Sequence, residues 1–289
     1  MSTHDDLCAL AGRRFRKMHG LGNDFVVIDA RAEPLTLSPA AAAALADRRS
    51  GVGCDQAIVI EPGDGEAAAF MRIYNADGSE VSACGNATRC VARLLMEEAG
   101  TAETTLRTRA GLIRAFAGKD GLITADMGPA GLDWRAIPLA EAHDTLALPL
   151  AAGGYGEPVA VSMGNPHAVF FVHDAEAVAL SAIGPVIEVH PMFPEKTNVE
   201  FAHLIAPDRI RMRVWERGTG ITRACGTGAC ATAVAAARRG LAGRASEVVL
   251  DGGSLFVEWT EDGRVLMTGP ATLAFTGTLG EILPAGKPA

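Results

Sequence analysis

The chain has 289 residues, 48% of them hydrophobic and 21% charged, with a formal net charge of −8 at pH 7. This is an ordinary globular balance in a chain long enough to bury one or two cores. The acidic charge argues against nucleic-acid and anionic-membrane partners, which draw on basic patches, no apolar run reaches transmembrane length, and residues 1–14 lack a signal peptide's apolar centre, so a cytoplasmic protein is expected.

Along the chain, the apolar runs Phe25–Ile28 and Ala57–Ile60 read as buried strands. Between them Ser38-Pro39 opens an alanine-rich helix, with Ser38 as N-cap and Pro39 in the first turn. Ala67–Tyr74 is a further strand. After Cys84 the chain turns helical: Ala87, Cys90, Val91, Leu94 and Leu95 keep a 3.6-residue period, and Gly100 is a natural C-terminal cap. Leu112–Ala117 and Leu122–Asp126 flank the turn sequence Gly-Lys-Asp-Gly. Turn chemistry at 128–131 and again at Gly269-Pro270 marks candidate boundaries.

Further strands are expected at Val159–Met163, Val169–Val172, around Val199 and Phe201, and at Ile210–Trp215. Residues 229–237 are small and apolar on every face, which calls for a helix enclosed on all sides, with Arg238 and Arg239 at its negative end and Gly240 closing it. Ser254–Trp259 and Val265–Thr268 follow as strands around a hairpin turn at 261–263.

The second half of this list repeats the first. Residues 71–85, MRIYNADGSEVSACG, match residues 212–226, MRVWERGTGITRACG, so that Cys84-Gly85 stands opposite Cys225-Gly226. At nearly the same offset Gly22-Asn23 matches Gly164-Asn165, and Gln56 matches Asn198. Two similar structural units follow from such a duplication. The expected fold is α+β, with two pseudo-symmetric halves, each of β-sheets wrapped around a central helix. Residues 1–129, joined by 272–289, would form one half and 130–271 the other, with the active site in the cleft between them.

The chain has six cysteines but no C-x-x-C spacing, so a zinc ribbon or thioredoxin-type site is not expected. Cys8, Cys54, Cys90 and Cys230 read as small core residues. Cys84 and Cys225 differ because each heads a helix, where unpaired N–H groups carry partial positive charge. The expectation is a lowered thiol pKa there, with thiolate accessible near neutral pH. The same N–H groups can hold a carboxylate. One thiol on each side of a small molecule suits removal of a proton from one face of a carbon and its return to the other. No nucleotide or pyridoxal phosphate fingerprint is present, and neither a cofactor nor a metal is expected.

The motifs HGLGNDF (19–25), GVGCDQ (51–56), NADGSE (75–80), ACGN (83–86), GNPH (164–167), TNVEF (197–201), ERGTG (216–220) and ACGTGAC (224–230) together resemble those of the diaminopimelate epimerases, over about residues 15–283. These enzymes interconvert LL- and meso-diaminopimelate without a cofactor. The resemblance implies that Cys84 and Cys225 are the base–acid pair. It implies that Gly85-Asn86 and Gly226-Thr227 hold the carboxylate at the reacting centre, and that Asn23, Gln56, Asn75, Asn165 and Asn198 line the substrate pocket. Arg217 would grip the distal carboxylate through its planar fork, and Glu216 and His167 would assist catalysis. It further implies a homodimer acting on a small molecule.

Two positions depart from the family pattern: Ala87 stands where glycine is usual, and Trp215 where tyrosine or phenylalanine is usual. Rival readings on the same fold are a proline racemase or hydroxyproline epimerase, for which Arg217 and the pocket asparagines would be surplus, and a phenazine-type isomerase, which lacks paired thiols. A thiol-based redox or metal-binding module is the rival from another class.

Overall fold

In the computed structural model, which describes residues 9–280, the repeat written in the sequence becomes a repeat of strand order. Two units result: one takes the described residues up to Ala125 and again from Pro270, the other Asp126–Gly269. In the first, the strands Arg14–Gly20, Asn23–Asp29, Gln56–Pro62, Ala69–Asn75, Glu103–Thr108, Gly111–Ala117 and the start of Ile123–Pro129, which runs on into the second unit, are neighbours in that order. Their pairings run antiparallel, parallel, antiparallel, parallel, antiparallel, antiparallel. In the second, Val159–Ser162, Pro166–Phe171, Asn198–Ala206, Arg209–Glu216, Ala245–Leu250, Gly253–Trp259 and Arg264–Gly269 repeat the same alternation. Each unit is therefore mixed α+β, and its strands pack around one helix of its own, Gly85–Ala99 in the first and Gly226–Arg238 in the second.

The two central helices are enclosed for different reasons. The periodic stripe of the Gly85–Ala99 helix, Ala87, Cys90, Val91, Leu94 and Leu95, sits in a core with Met18, Phe25, Ile58 and Met71. Asn86, Thr88 and Arg89 are buried as well, so polar bonds complete the enclosure. The Gly226–Arg238 helix buries Ala229 through Ala236 without interruption, which its small side chains permit by letting strands approach closely. Its last turn is bonded to the main chain through Arg238 and Arg239, whose guanidiniums reach the carbonyls of Ala160 and Leu146.

The alanine-rich helix runs Pro39–Ala46, and Ser38 caps it by accepting the Ala41 N–H, as expected. Gly100 closes the Gly85–Ala99 helix in the left-handed conformation. Cys54, Cys90 and Cys230 are buried, and burial pushes the first two thiols up to about 11 and about 12; Cys8 lies outside the described residues.

Several elements escaped the sequence, among them the strands Arg14–Gly20, Glu103–Thr108, Ala245–Leu250 and Thr272–Thr278 and the helix Leu180–Glu188. The strand Arg14–Gly20 breaks its alternation at a bulge between Lys17 and Met18, where its register against Thr272–Thr278 shifts. The helix Leu180–Glu188 contains Gly184-Pro185, a dipeptide that reads as a turn. It forms because Leu180, Gly184 and Ile187 bury one face against the strands Asn198–Ala206 and Arg209–Glu216, so tertiary packing overrides local preference.

Gly184 is required there by contact. A Cβ on it would lie 2.6 Å from Cγ and 2.7 Å from Cδ2 of Trp215. Alanine normally gains about 1 kcal/mol over glycine within a helix, whereas a clash with a packed ring costs typically 1–3 kcal/mol, roughly. Gly184→Ala is accordingly expected to lower stability in urea denaturation, and Trp215→Phe in the same chain to recover part of it. A stabilised Gly184→Ala protein would show that the ring yields freely.

Candidate active site

Each central helix is N-capped by its cysteine. Cys84 and Cys225 both take extended backbone angles, and the following glycine is the first helical residue. Extended backbone at the cap turns the side chain back over the first turn, where N–H groups lack partners within the helix.

In the first unit the cap is surrounded by amides. Asn23, on the strand Asn23–Asp29, presents Oδ1 to Cys84 Sγ at 3.8 Å and to Asn86 Nδ2 at 3.2 Å. Its own Nδ2 donates to Asp55 at 3.0 Å, which holds the amide's orientation. Asn86 Oδ1 accepts from Arg89 Nη2 at 2.7 Å, and Arg89 is wholly buried, with Nε donating to the Pro270 carbonyl. Gln56 donates Nε2 to Asn75 Oδ1 at 3.0 Å, directly across the strand pair, and Asn75 Nδ2 donates to Ser79. Gln56 Oε1 is buried with no hydrogen-bond partner among the described residues. Of the residues expected here, the structure joins Asn23, Cys84 and Asn86 in one network and Gln56 with Asn75 in another.

In the second unit the same positions carry more charge. Cys225 Sγ accepts from the Gly228 N–H at 3.4 Å and lies 3.5 Å from Thr227 Oγ1. Asn165 Nδ2 donates to Thr227 Oγ1 at 3.5 Å, and its Oδ1 faces His167 Nε2 at 3.0 Å. His167 Nδ1 meets Glu200 Oε1 at 2.6 Å, with both side chains fully buried. Glu216 Oε1 accepts a hydrogen bond from the Thr222 hydroxyl. Asn198 Nδ2 donates to the Pro166 carbonyl, and its Oδ1 accepts the Arg217 N–H at 2.9 Å. The Arg217 guanidinium is exposed and donates to the Glu195 carbonyl at 2.9 Å. The two amide-lined caps are thus equivalent: Asn23 and Asn86 correspond to Asn165 and Thr227, and Asn75 to Glu216.

The expected lowering of both thiols needs correction at Cys225, whose pKa is raised well above the ordinary value. Burial is the first cause, followed by the nearby carboxylates of Glu216 and Glu200. Against these stand only the Thr227 hydroxyl and the Gly228 N–H. A helix N-terminus offers at most about 2 kcal/mol to a negative charge, while removing an ion from water costs several kcal/mol, roughly. Burial also lifts the Glu216 carboxyl above the usual range, opposed by hydrogen bonds from Thr222 and Cys225.

Sequence reasoning missed three buried charged residues beside these networks. Arg89 orients Asn86. Glu188 accepts the Trp215 indole N–H at 2.7 Å and the Gly218 N–H at 3.0 Å, and so holds the loop that carries Arg217. Burial opposes its ionisation, yet these bonds bring its pKa below the usual value. Glu200 faces His167. The signal for Glu188 was available in Trp215, because a tryptophan replacing an aromatic of ordinary size brings an N–H that needs a buried acceptor. Among the described residues no cluster of three or more His, Cys, Asp or Glu side chains could hold a metal ion. No described helix is long and apolar enough to cross a membrane.

The family model of diaminopimelate epimerase matches residues 15–132 and 159–274. The chain is 62% identical over 276 residues to the diaminopimelate epimerase of Rhodospirillum centenum, covering 95% of each. It is 60% identical over 269 residues to that of Acidiphilium cryptum, covering 93% of this chain and 97% of the relative. Among solved structures, a hydroxyproline epimerase from Agrobacterium vitis superposes with a TM-score of 0.67 at 19% identity, covering 95% of this chain and 94% of the other. At that identity the likeness concerns the fold.

The charge around Cys225 has a measurable consequence. Glu216→Gln removes a negative neighbour and is expected to lower the Cys225 pKa, so that iodoacetamide near pH 8 alkylates Cys225 faster, by about 3- to 10-fold. Peptide mass spectrometry reads the rate at each cysteine. An unchanged or slower rate at Cys225 would show that Glu216 does not act on the sulfur.

Proposed function

The chain belongs to the diaminopimelate epimerase family, and from that premise we propose that it interconverts LL- and meso-diaminopimelate by passing one proton across the α-carbon between Cys84 and Cys225. The observation that carries this reading is the equivalent placement of the two cysteines, each capping its unit's central helix beside an amide from a neighbouring strand.

One sulfur, as thiolate, takes the α-proton: the C–H bond breaks, an S–H bond forms, and the electron pair remains on the carbon beside the carboxylate. First-turn N–H groups at Gly85-Asn86 and Gly226-Thr227 hydrogen-bond that carboxylate and stabilise the charge that develops on it. The other sulfur, as thiol, gives its proton to the opposite face and becomes the thiolate. The two sulfurs have then exchanged states, which prepares the reverse reaction, and the pair titrates as a unit. No further reactant enters the balance, so the reading calls for neither cofactor nor metal.

The raised Cys225 pKa fits this task. In the free protein it disfavours the thiolate of the buried sulfur. An α-ammonium seated beside Glu216 and Cys225 would offset the carboxylates and make the thiolate accessible when substrate is bound. Gln56 Oε1, a buried acceptor without a partner among the described residues, suits a substrate N–H. Arg217, exposed on a loop held by Glu188 and Asn198, is placed for a distal carboxylate. His167 and Glu216 tune the Cys225 side. The substrate is a small molecule. The reading takes the active form as a cytoplasmic homodimer serving lysine and peptidoglycan precursor synthesis.

In deuterium oxide under reducing conditions, the protein is expected to incorporate solvent deuterium at the α-carbon of LL- or meso-diaminopimelate with nothing else added. Cys84→Ala and Cys225→Ala should each lower epimerisation at least about 1,000-fold, while Cys90→Ala keeps most of it. Turnover of proline in place of diaminopimelate would move the reading to the proline racemases. An inactive but folded Cys90→Ala protein would show that the wrong thiol is named.

A further inference from the structure

Glu200 is wholly buried in the strand Asn198–Ala206, and beyond its charge near Cys225 the proton transfer above gives it no task. Its Oε1 meets His167 Nδ1 at 2.6 Å, while Oε2 has no hydrogen-bond partner among the described residues. A buried carboxylate with one oxygen unsatisfied is destabilising. The internal repeat shows whether the fold requires it.

In the first unit Phe25 pairs with Gln56 and Val27 with Ile58. In the second, His167 pairs with Asn198 and Val169 with Glu200. Phe25 therefore occupies the position of His167, and Ile58 that of Glu200. Phe25 and Ile58 are fully buried in the core beside the Gly85–Ala99 helix. One strand pair closes over its helix with two apolar side chains; its copy does so with an imidazole and a carboxylate. The architecture does not call for the polar pair.

The polar pair leads instead to the sulfur. From Glu200 Oε1 the contacts pass through His167 Nδ1, at 2.6 Å, and from Nε2 to Asn165 Oδ1, at 3.0 Å. They continue from Asn165 Nδ2 to Thr227 Oγ1 and from there to Cys225 Sγ, each at 3.5 Å. The carboxylate also abuts the residue whose N–H caps that sulfur: a Cβ on Gly228 would sit 2.9 Å from Glu200 Oε1. A carboxylate oxygen at Nδ1 and an amide oxygen at Nε2 both accept, so each ring nitrogen donates a hydrogen, and the two bonds together fix the ring's orientation.

We infer that Glu200 is a positioning residue for Cys225: by holding the Nδ1 hydrogen of His167 it locks the imidazole, and through Asn165 and Thr227 it sets the groups that face the sulfur. The inference rests on the two-cysteine reading and can fail separately from it.

The test compares Glu200→Ile, Glu200→Gln and the double variant His167→Phe/Glu200→Ile, which copies the first unit into the second. Glu200→Ile should lower kcat about 100-fold with KM changed less than about 3-fold, and should lower Tm because His167 loses its acceptor. Glu200→Gln keeps an acceptor for Nδ1 and should retain most of kcat. The double variant should recover Tm without recovering kcat, as expected if the pair serves the site rather than the fold.

A folded Glu200→Ile protein with kcat within about 3-fold of the unaltered one, or a Glu200→Gln protein as impaired as Glu200→Ile, would overturn the inference. Nitrogen NMR of histidine-labelled protein, with the His167 signals assigned by their loss in His167→Phe, needs neither substrate nor a stable Glu200→Ile chain. A protonated Nδ1 in the unaltered protein is expected, and an unprotonated one overturns the arrangement. Failure to turn over diaminopimelate would count against the epimerase reading, while the nitrogen spectrum still decides the Glu200–His167 pair.

Discussion

A helix closed in by strands on every side has its side chains committed to packing, and what it can still offer a ligand is the set of N–H groups in its first turn. Both units are built on that constraint. The cysteine at the cap and the glycine behind it stand where those groups emerge. Gly228 N–H already bonds the Cys225 sulfur, so the anchoring of the nucleophile and the supply of anion-binding donors come from one piece of backbone. Movement of the helix among its strands would displace both together. The tight alanine packing of Gly226–Arg238 and the buried Arg89–Asn86 contact in the other unit resist that movement.

The two halves share a frame and differ in chemistry. Position for position, Asn23 and Asn165 reach towards the capping cysteine or the residue two beyond it, Asn86 or Thr227. Around this shared element the first unit uses amides, Gln56 and Asn75, while the second uses Asn198 and the carboxylate Glu216. Behind the amides the first unit is apolar, with Phe25 and Ile58, and the second is polar, with His167 and Glu200. Duplication thus supplied geometry twice, and divergence made one side neutral and the other charged. A substrate that is itself asymmetric, with an ammonium and a carboxylate on the same carbon, calls for that difference.

Burial sets the energetic terms of the second side. The favourable effect of a helix N-terminus on an anion is real but small beside the loss of water around a cysteine that is 4% exposed. Two nearby carboxylates add to that loss, and together they hold the thiol's pKa well above its ordinary value. The neighbouring Glu188 shows the opposite outcome for a buried carboxyl: with the Trp215 and Gly218 N–H groups aimed at it, ionisation wins despite burial. The departure at Trp215 from the residue usual in the family is matched by that acceptor and by the missing Cβ at Gly184.

Much of this was legible in the chain itself. The duplicated segments around Cys84 and Cys225 determined that there are two like units; the period after Cys84 and the run of small residues after Cys225 determined two enclosed helices. The motifs around them determined the family. These signals are local, because a cap, a period or a repeat is complete within a few neighbouring residues. What only the tertiary structure decided lies between residues far apart in sequence. The Leu180–Glu188 helix forms around Gly184-Pro185 because strands cover its apolar face. The Cys225 thiol is raised, against the rule for helix N-termini, because burial takes it out of water and Glu216 and Glu200 are folded against it. Desolvation and charge–charge effects depend on what surrounds a group in space, and a linear string of residues does not carry that information until the strands are in register.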